Sequence, residues 1–178
     1  MKSIISASRR TDIPSFYLDW FINAISKGSI QIQNPYYKKN FSFVDLSPSS
    51  VEWIVFWSRN YDKFLKRIHF FDDYNLFFHF TIISHHPKLE KSALPIKHAL
   101  KQIEKLAYIF GSGKIIWRYD PIVFWNESGK LQTNYREAEF VYLCEKMQSF
   151  GILNISITFM VGIFNAASFP AFFKNLTE

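Results

Sequence analysis

Arginine and aspartate side chains recur in this sequence at the points where short apolar runs end. The residues at these points, with one serine beside them, are Ser8, Arg9, Arg10, Asp12, Arg59, Arg118 and Asp120. Because the carboxyl ends of parallel strands share one edge of a sheet, an α/β fold would bring these side chains to one rim. Guanidinium groups bind phosphates and carboxylates through paired hydrogen bonds. The pattern therefore predicts a basic rim that binds an anionic ligand: a phosphate, a carboxylate or a nucleic-acid backbone.

Each of these side chains also has a purely structural interpretation. Asp12 precedes Pro14 and a helical pattern, so it is suited to cap a helix N-terminus, and the sequence favours that role. Arg118 and Asp120 alternate along one predicted strand and could form a buried ion pair. One of the two neighbours Arg9 and Arg10 is expected to point to solvent. At the level of sequence, these alternatives stay open.

The motifs of nucleophilic and phosphate-loop enzymes are absent from the sequence. It contains no GxSxG, no P-loop and no GxGxxG. His85 and His86 precede a proline and are expected to be exposed loop histidines, since a metal site would need further ligands. A cofactor-free hydrolase with Asp12 or Asp120 as its base is the weakest hypothesis, because nothing supplies a nucleophile. The sequence therefore names no catalytic residue and no metal site.

Strand and helix patterns alternate along the chain. Predicted strands cover residues 3–8, 29–33, 41–46, 53–57, 76–83, 114–119 and 153–159, and predicted helices cover 12–28, 61–70, 94–110 and 135–150. The first strand is expected to be buried. Such alternation predicts parallel strands with right-handed crossovers, in roughly five strand–helix units where a closed barrel has eight. We therefore expect an α/β fold, a partial TIM-like (β/α) barrel, with one incomplete domain over residues 1–178 and an atypical apolar tail at 159–178.

Composition and charge narrow the class of protein. The 178 residues are 48% hydrophobic and 20% charged, as in globular proteins, which argues against a disordered chain. The net charge of +6 favours anionic partners such as nucleic acid, although a generic basic surface explains it too. The single cysteine, Cys144, excludes an intramolecular disulfide and is expected to be a small buried apolar residue in a cytoplasmic protein. Residues 150–173 carry no charge, but their Asn, Ser and Pro residues favour a buried strand over a membrane span.

Four short segments carry a resemblance to a known family. They are ISASRRTDIP at residues 5–14, NPY at 34–36, IVFWSRN at 54–60 and IWRYDP at 116–121. In this order and spacing they resemble a bacterial family of uncharacterised proteins, the domain of unknown function 1848, over residues 3 to 158. The resemblance implies a barrel-like α/β fold. It also implies a relationship to radical S-adenosylmethionine enzymes and to DNA-photoproduct repair lyases, because family members end in a cysteine-rich segment similar to a cluster-binding motif.

The sequence departs from that family pattern near its end. Members tend to carry an aspartate soon after the serine of the strand that matches residues 155–159, whereas this chain reads Thr158-Phe159-Met160. The cluster cysteines are missing too, so the iron–sulfur cluster and S-adenosylmethionine are implied only for full-length relatives. We therefore expect the truncated N-terminal part of a radical-type iron–sulfur enzyme, inactive alone, that retains the basic rim. The alternative is a stand-alone binding module for nucleic acid or a phosphorylated ligand.

Overall fold

The computed structural model describes residues 2–8, 11–33, 36–37, 39–90 and 93–161 of the chain. It is a mixed α/β protein whose main sheet is mostly parallel. The chain divides into two compact units, one ending at Phe78 and the other beginning at His79. Among the described residues, no helix combines the length and the apolar character needed to cross a bilayer.

The first unit alternates strands and helical turns. Its elements are β1 Ser3–Ser6, a π-helical turn Ile13–Tyr17 that leads into α1 Leu18–Ser26, β2 Ser29–Gln33, β3 Phe41–Asp45, β4 Val51–Ser58, α2 Asp62–Leu65, a 3-10 turn Ile68–Phe71 and the start of β5 Leu76–Thr81. Strand β1 pairs in parallel with β4, and β4 neighbours β5. The predicted hairpin-like excursion is confirmed, since β2 and β3 form a separate antiparallel pair.

Two sequence-based expectations fail in this unit. Strand β1 is exposed along most of its length, including Ile4, because its one neighbour in the described strand order is β4. The predicted helix over residues 61–70 is interrupted. After α2 the backbone tightens, with the N–H of Arg67 donating to the carbonyl of Phe64 three residues earlier. The tighter 3-10 turn that follows still buries Phe71, so the apolar pattern is kept while the helix type changes.

Aromatic rings fill the core of the first unit. Phe56 of β4 is fully buried, and four other phenylalanine rings surround it: Phe21, Phe64, Phe71 and Phe78. The centroid distances from Phe56 range from 5.2 Å to Phe64 to 6.2 Å to Phe78. Edge-to-face and tilted contacts at this spacing add attraction beyond the burial of apolar area. Much of the high aromatic content of the sequence is therefore structural.

The second unit continues the alternation. It contains the end of β5, α3 Ile96–Phe110, a 3-10 turn Ser112–Lys114, β6 Ile115–Glu127, β7 Lys130–Thr133, α4 Glu137–Ser149 and β8 Ile155–Val161. Strand β6 neighbours β5, pairs antiparallel with β7 and pairs in parallel with β8. The predicted helices and the last strand are confirmed to within two residues. Residues 162–178, most of the predicted apolar tail, lie outside the described part of the chain.

A buried asparagine supports the irregular middle of β6. The register between β6 and β8 shifts between Tyr119 and Ile122, which removes backbone groups from the regular ladder. Asn134 compensates, because its Oδ1 accepts from the N–H of Val123 at 2.8 Å and its Nδ2 donates to the carbonyl of Pro121 at 3.1 Å. Buried backbone groups need such partners. The side chain thus supports β6 at the shift, from Pro121 to Val123.

Candidate functional site

The ends of β1 and β4 lie at the same edge of the first unit's sheet. Ser6 pairs with Val55 in a parallel register, and the N–H of Ala7 donates to the carbonyl of Val55 at 2.9 Å. The chain that leaves β1 and the chain that leaves β4 are therefore neighbours. We call the residues at this edge the strand-end site, comprising Ser8, Asp12, Ser15, Ser58 and Arg59.

Asp12 organises the strand-end site through both carboxylate oxygens. Its Oδ1 accepts from the N–H of Ser15 at 2.9 Å, which caps the helical turn that begins at Ile13. Its Oδ2 accepts from the Ser58 hydroxyl at 2.8 Å and from the N–H of Arg59 at 3.3 Å. The predicted cap is confirmed, and Asp12 also ties the start of the helix to the end of β4. With three donors on it, the carboxylate is a structural anchor.

Two serines that the sequence reasoning missed complete this network. The hydroxyls of Ser15 and Ser58 lie 3.0 Å apart, and the Ser58 hydroxyl accepts from the N–H of Asn60 at 3.0 Å. Ser58 is buried, so these hydrogen bonds satisfy a polar group that has left water. The sequence could have indicated the contact between Asp12 and Ser15, because a cap side chain accepts from the backbone N–H two or three residues later. The role of Ser58 depends on pairing across 46 residues of sequence.

Four further residues of the predicted rim belong to this part of the chain: Ser8, Arg9, Arg10 and Arg59. Ser8 lies in the turn after β1, and its Oγ is buried without a hydrogen-bond partner among the residues that the structure describes. Arg59 directly follows β4 and is exposed. Arg9 and Arg10 lie outside the described residues, so their predicted place at the rim stays a prediction.

We expect Asp12→Ala to lower the free energy of unfolding by about 1–2 kcal/mol, the usual effect of losing an N-cap. Asp12→Asn keeps an oxygen that can accept from the N–H of Ser15, so its effect should be smaller. Urea denaturation followed by circular dichroism measures both. Asp19→Ala removes an exposed carboxylate of α1 and is the matched control, with an expected change below about 0.5 kcal/mol. Equal losses for Asp12→Ala and Asp19→Ala would contradict the anchoring role.

Arg118 and Asp120 form an ion pair in the second unit. The Arg118 guanidinium donates to Asp120 Oδ2, and the two side chains are 26% and 5% exposed. This confirms the structural alternative that the alternation along β6 suggested. The carbonyl of Arg118 also accepts from the N–H of Ile82 at 3.0 Å, which ties β6 to the end of β5. The Asp120 carboxylate is thus paired and almost fully buried, which argues against its use as a free base.

The sequence motifs that contain these residues fall within one family match. A protein-family model described as Domain of unknown function (DUF1848) matches residues 4–168. The chain belongs to this family. Neither the search of curated proteins nor the search of solved structures found a match. Membership of DUF1848 confirms the resemblance based on the four short segments, and the family's description assigns no reaction.

In this DUF1848 protein, His79 of β5 is half-buried within the range of the Arg118 charge. Burial lowers the pKa of His79, and the positive charge of Arg118 lowers it further. The ring is therefore neutral near pH 7. A neutral imidazole beside a guanidinium can accept or donate a hydrogen bond without adding charge to the site.

The neighbouring residues His85 and His86 are less exposed than the sequence suggested. Both are half-buried. His85 Nε2 lies 2.9 Å from the carbonyl of Glu90, and the His86 ring packs edge-on against Trp125 at a centroid distance of 4.8 Å. The expectation of exposed loop histidines is therefore wrong, because the loop folds back onto β6. Burial lowers the pKa of His86, and the charges of Arg136 and Lys88 act in the same direction.

A buried hydroxyl pair was not foreseen from the sequence. The Tyr119 hydroxyl lies 2.7 Å from the Ser84 hydroxyl, and Tyr119 is fully buried. Burial raises the pKa of Tyr119, and the hydrogen bond with Ser84 offsets part of that rise. The phenol is therefore protonated at neutral pH. The pair joins the chain after β5 to β6 and has the character of a structural link.

The chain does not fit a resident iron–sulfur cluster. Clusters of this kind are held mainly by several cysteine thiolates, and the sequence has one cysteine. Cys144 lies on α4 and is half-buried rather than fully buried as expected, and burial raises the pKa of its thiol, which disfavours the thiolate. Within the described ranges, no group of three or more His, Cys, Asp or Glu side chains is placed to hold a metal.

Proposed function

We propose that the strand-end site binds an anionic ligand that carries a phosphate or a carboxylate. The observation that carries the proposal is the Ser8 hydroxyl, which is buried without a hydrogen-bond partner among the described residues. A buried polar group in that state costs free energy unless a partner satisfies it. Because the Ser8 Oγ is buried, a ligand oxygen would supply that partner when the turn after β1 moves aside on binding.

The charges at this edge favour a negative ligand. Arg59 is exposed directly after β4, and Arg9 and Arg10 adjoin Ser8 in the sequence. The Asp12 carboxylate opposes an anion at short range, but its three hydrogen bonds offset part of its charge. We therefore assign recognition to Ser8 and Arg59, and anchoring to Asp12. A charge-assisted hydrogen bond from a guanidinium is stronger than a neutral one.

We expect pyrophosphate to raise the thermal midpoint of the chain, since a ligand that binds the folded state stabilises it. Arg59→Gln should weaken the apparent affinity about tenfold or more, the usual effect of losing a charged hydrogen bond. Ser8→Ala should weaken it less. The measurement is a thermal-shift titration at fixed ionic strength.

Arg67→Gln is the matched control for this titration. Arg67 is an exposed arginine of the same unit that is paired with Asp19, so its loss should leave the affinity unchanged. An Arg59→Gln titration that overlays the wild-type curve would overturn the assignment. A wild-type midpoint that does not move with pyrophosphate would overturn the proposed ligand class.

We propose that the strand-end site is the ligand-recognition part of a catalytic protein. The order β1–α1, β4–α2, β5–α3, β6–α4 and β8 supports a partial TIM-like barrel, in which ligands bind at the carboxyl ends of strands. The strand-end motifs are those of DUF1848, and the resemblance of that family's cysteine-rich end to radical-type iron–sulfur enzymes supports a role in holding a substrate or cofactor. The chain supplies one cysteine, so in this proposal it contributes recognition and not the redox centre.

A further inference from the structure

The β2–β3 hairpin presents two exposed aromatic rings on one face. Phe41 is 51% exposed and Phe43 is 77% exposed. They stand two residues apart on β3, so both side chains point to the same side of the hairpin. Large apolar side chains that stay exposed together on a strand commonly mark a contact surface.

The residues opposite these rings are amides. Phe43 pairs with Gln31 and Phe41 pairs with Gln33 in the antiparallel register. Residues paired in this way share a face, so the outer face alternates rings with hydrogen-bonding side chains. The other face carries Ile30 and Val44, which are half-buried. Ile32 on that face is 39% exposed, so the face with the aliphatic residues is the less exposed of the two and the face with the rings is the outer one.

The hairpin is also basic. Residues 27–45 contain three lysines and one acidic residue. Lys39 is exposed next to the start of β3, and Lys27 is exposed just before β2. Their ammonium groups suit the phosphates of a nucleic-acid strand.

We propose that the outer face of the β2–β3 hairpin binds single-stranded nucleic acid. Two bases stack on Phe41 and Phe43, Gln31 and Gln33 bond the base edges, and Lys39 neutralises backbone phosphate. The two rings lie roughly 7 Å apart along the strand, which suits the separated bases of an extended strand. Stacking on exposed rings within a basic surface is how sequence-tolerant single-strand binders work.

The size of the face argues against a second copy of the chain as the occupant. Two five-residue strands present an area of roughly 17 Å by 10 Å, far below the roughly 800 Å² per partner of a stable protein interface. Two copies would also bring their lysines together. A strand of two or three nucleotides fits the same area and carries the opposite charge. The proposal concerns residues outside the strand-end site, so it stands or falls separately from that site.

The test is fluorescence anisotropy with the full chain and an end-labelled oligothymidylate of about eight nucleotides, within the site size of small single-strand binding folds. We expect measurable binding that weakens with salt. Phe41→Ala and Phe43→Ala should each weaken it about five- to 100-fold, the range known for a lost base–ring stack. Tyr108→Ala removes a ring that is 90% exposed on α3 and is the matched control, with no expected change.

Two further substitutions separate stacking from general apolar contact. Phe43→Trp should retain or tighten binding, whereas Phe43→Leu should weaken it nearly as much as Phe43→Ala. Binding that Phe43→Leu leaves intact would overturn the stacking role, as would the absence of binding by the wild-type chain. A concentration-dependent dimer in sedimentation that Phe43→Ala dissociates would assign the face to a second copy and overturn the proposal as well.

Discussion

Replacing Phe56 by alanine should lower the free energy of unfolding by about 3–5 kcal/mol, the usual cost of removing a buried aromatic ring. Phe56 is fully buried at the centre of the first unit's aromatic core and contacts four other rings. Those rings come from α1, β5 and the helical turns, so they cannot all move into the space. Single domains are stable by only about 5–15 kcal/mol, so the variant should be close to unfolding at room temperature.

Equilibrium denaturation in urea, followed by circular dichroism, measures this loss. Phe16→Ala is the control, because Phe16 is an exposed phenylalanine of the same unit and its removal should change stability by less than about 0.5 kcal/mol. A loss below about 1 kcal/mol for Phe56→Ala would mean that the aromatic core relaxes around the missing ring and that Phe56 is not its tightly packed centre.

Arg118→Ala should be the second most disruptive change, with an expected loss of about 3–5 kcal/mol. The substitution leaves the Asp120 carboxylate, which is 5% exposed, without its counter-charge. The double variant Arg118→Ala/Asp120→Ala removes both charges and should recover part of that loss. The pattern is measured as a double-mutant cycle by denaturation at neutral pH.

The comparison pair for this cycle is Lys66 and Asp62. They form an exposed ion pair between the first residue of α2 and the residue that follows its end, and Lys66→Ala should cost less than about 1 kcal/mol. If Arg118→Ala were no more damaging than Lys66→Ala, Arg118 would not be held as a structural partner. Its side chain would then be better explained as a ligand-binding group, as the sequence first suggested.

The sequence predicts the order and type of the main elements because their apolar patterns are local. Residues 94–110 show helical spacing and form α3 from Ile96 to Phe110, and the near-continuous apolar run before Ser58 forms β4. Burial was harder to predict. Strand β1 contains two isoleucines yet is exposed along most of its length, because exposure depends on which strands lie beside it as well as on its own residues.

The β6–β7 hairpin was not predicted from the sequence. Strand β6 continues to Glu127 and returns through Ser128 and Gly129, which both have positive φ angles of 50° and 79°. A Ser-Gly pair between two short alternating runs is a recognisable hairpin turn, so this element was within reach. The hydrogen bonds of Asn134 could not be predicted from the local sequence, since its partners are defined by the register shift in β6.

The strand-end site was predictable only in part. The helix cap at Asp12 follows from the residues just after it, and the structure confirms it. Its second role, holding Ser58 and Arg59, depends on the parallel pairing of β1 with β4. Such contacts between residues distant in sequence are set by tertiary structure, which a single sequence does not specify.

The two residues that flank the β2–β3 hairpin, Gly28 and Leu46, are hydrogen-bonded to each other. The N–H of Leu46 donates to the carbonyl of Gly28 at 2.8 Å, and the carbonyl of Leu46 accepts from the Tyr74 hydroxyl at 2.6 Å. Because the two ends already touch, the entropy of closing the intervening loop changes only slowly with its length. We therefore expect insertions between residues 28 and 46 to change the free energy of unfolding only slightly, provided that the hydrogen bond between Leu46 and Gly28 is kept.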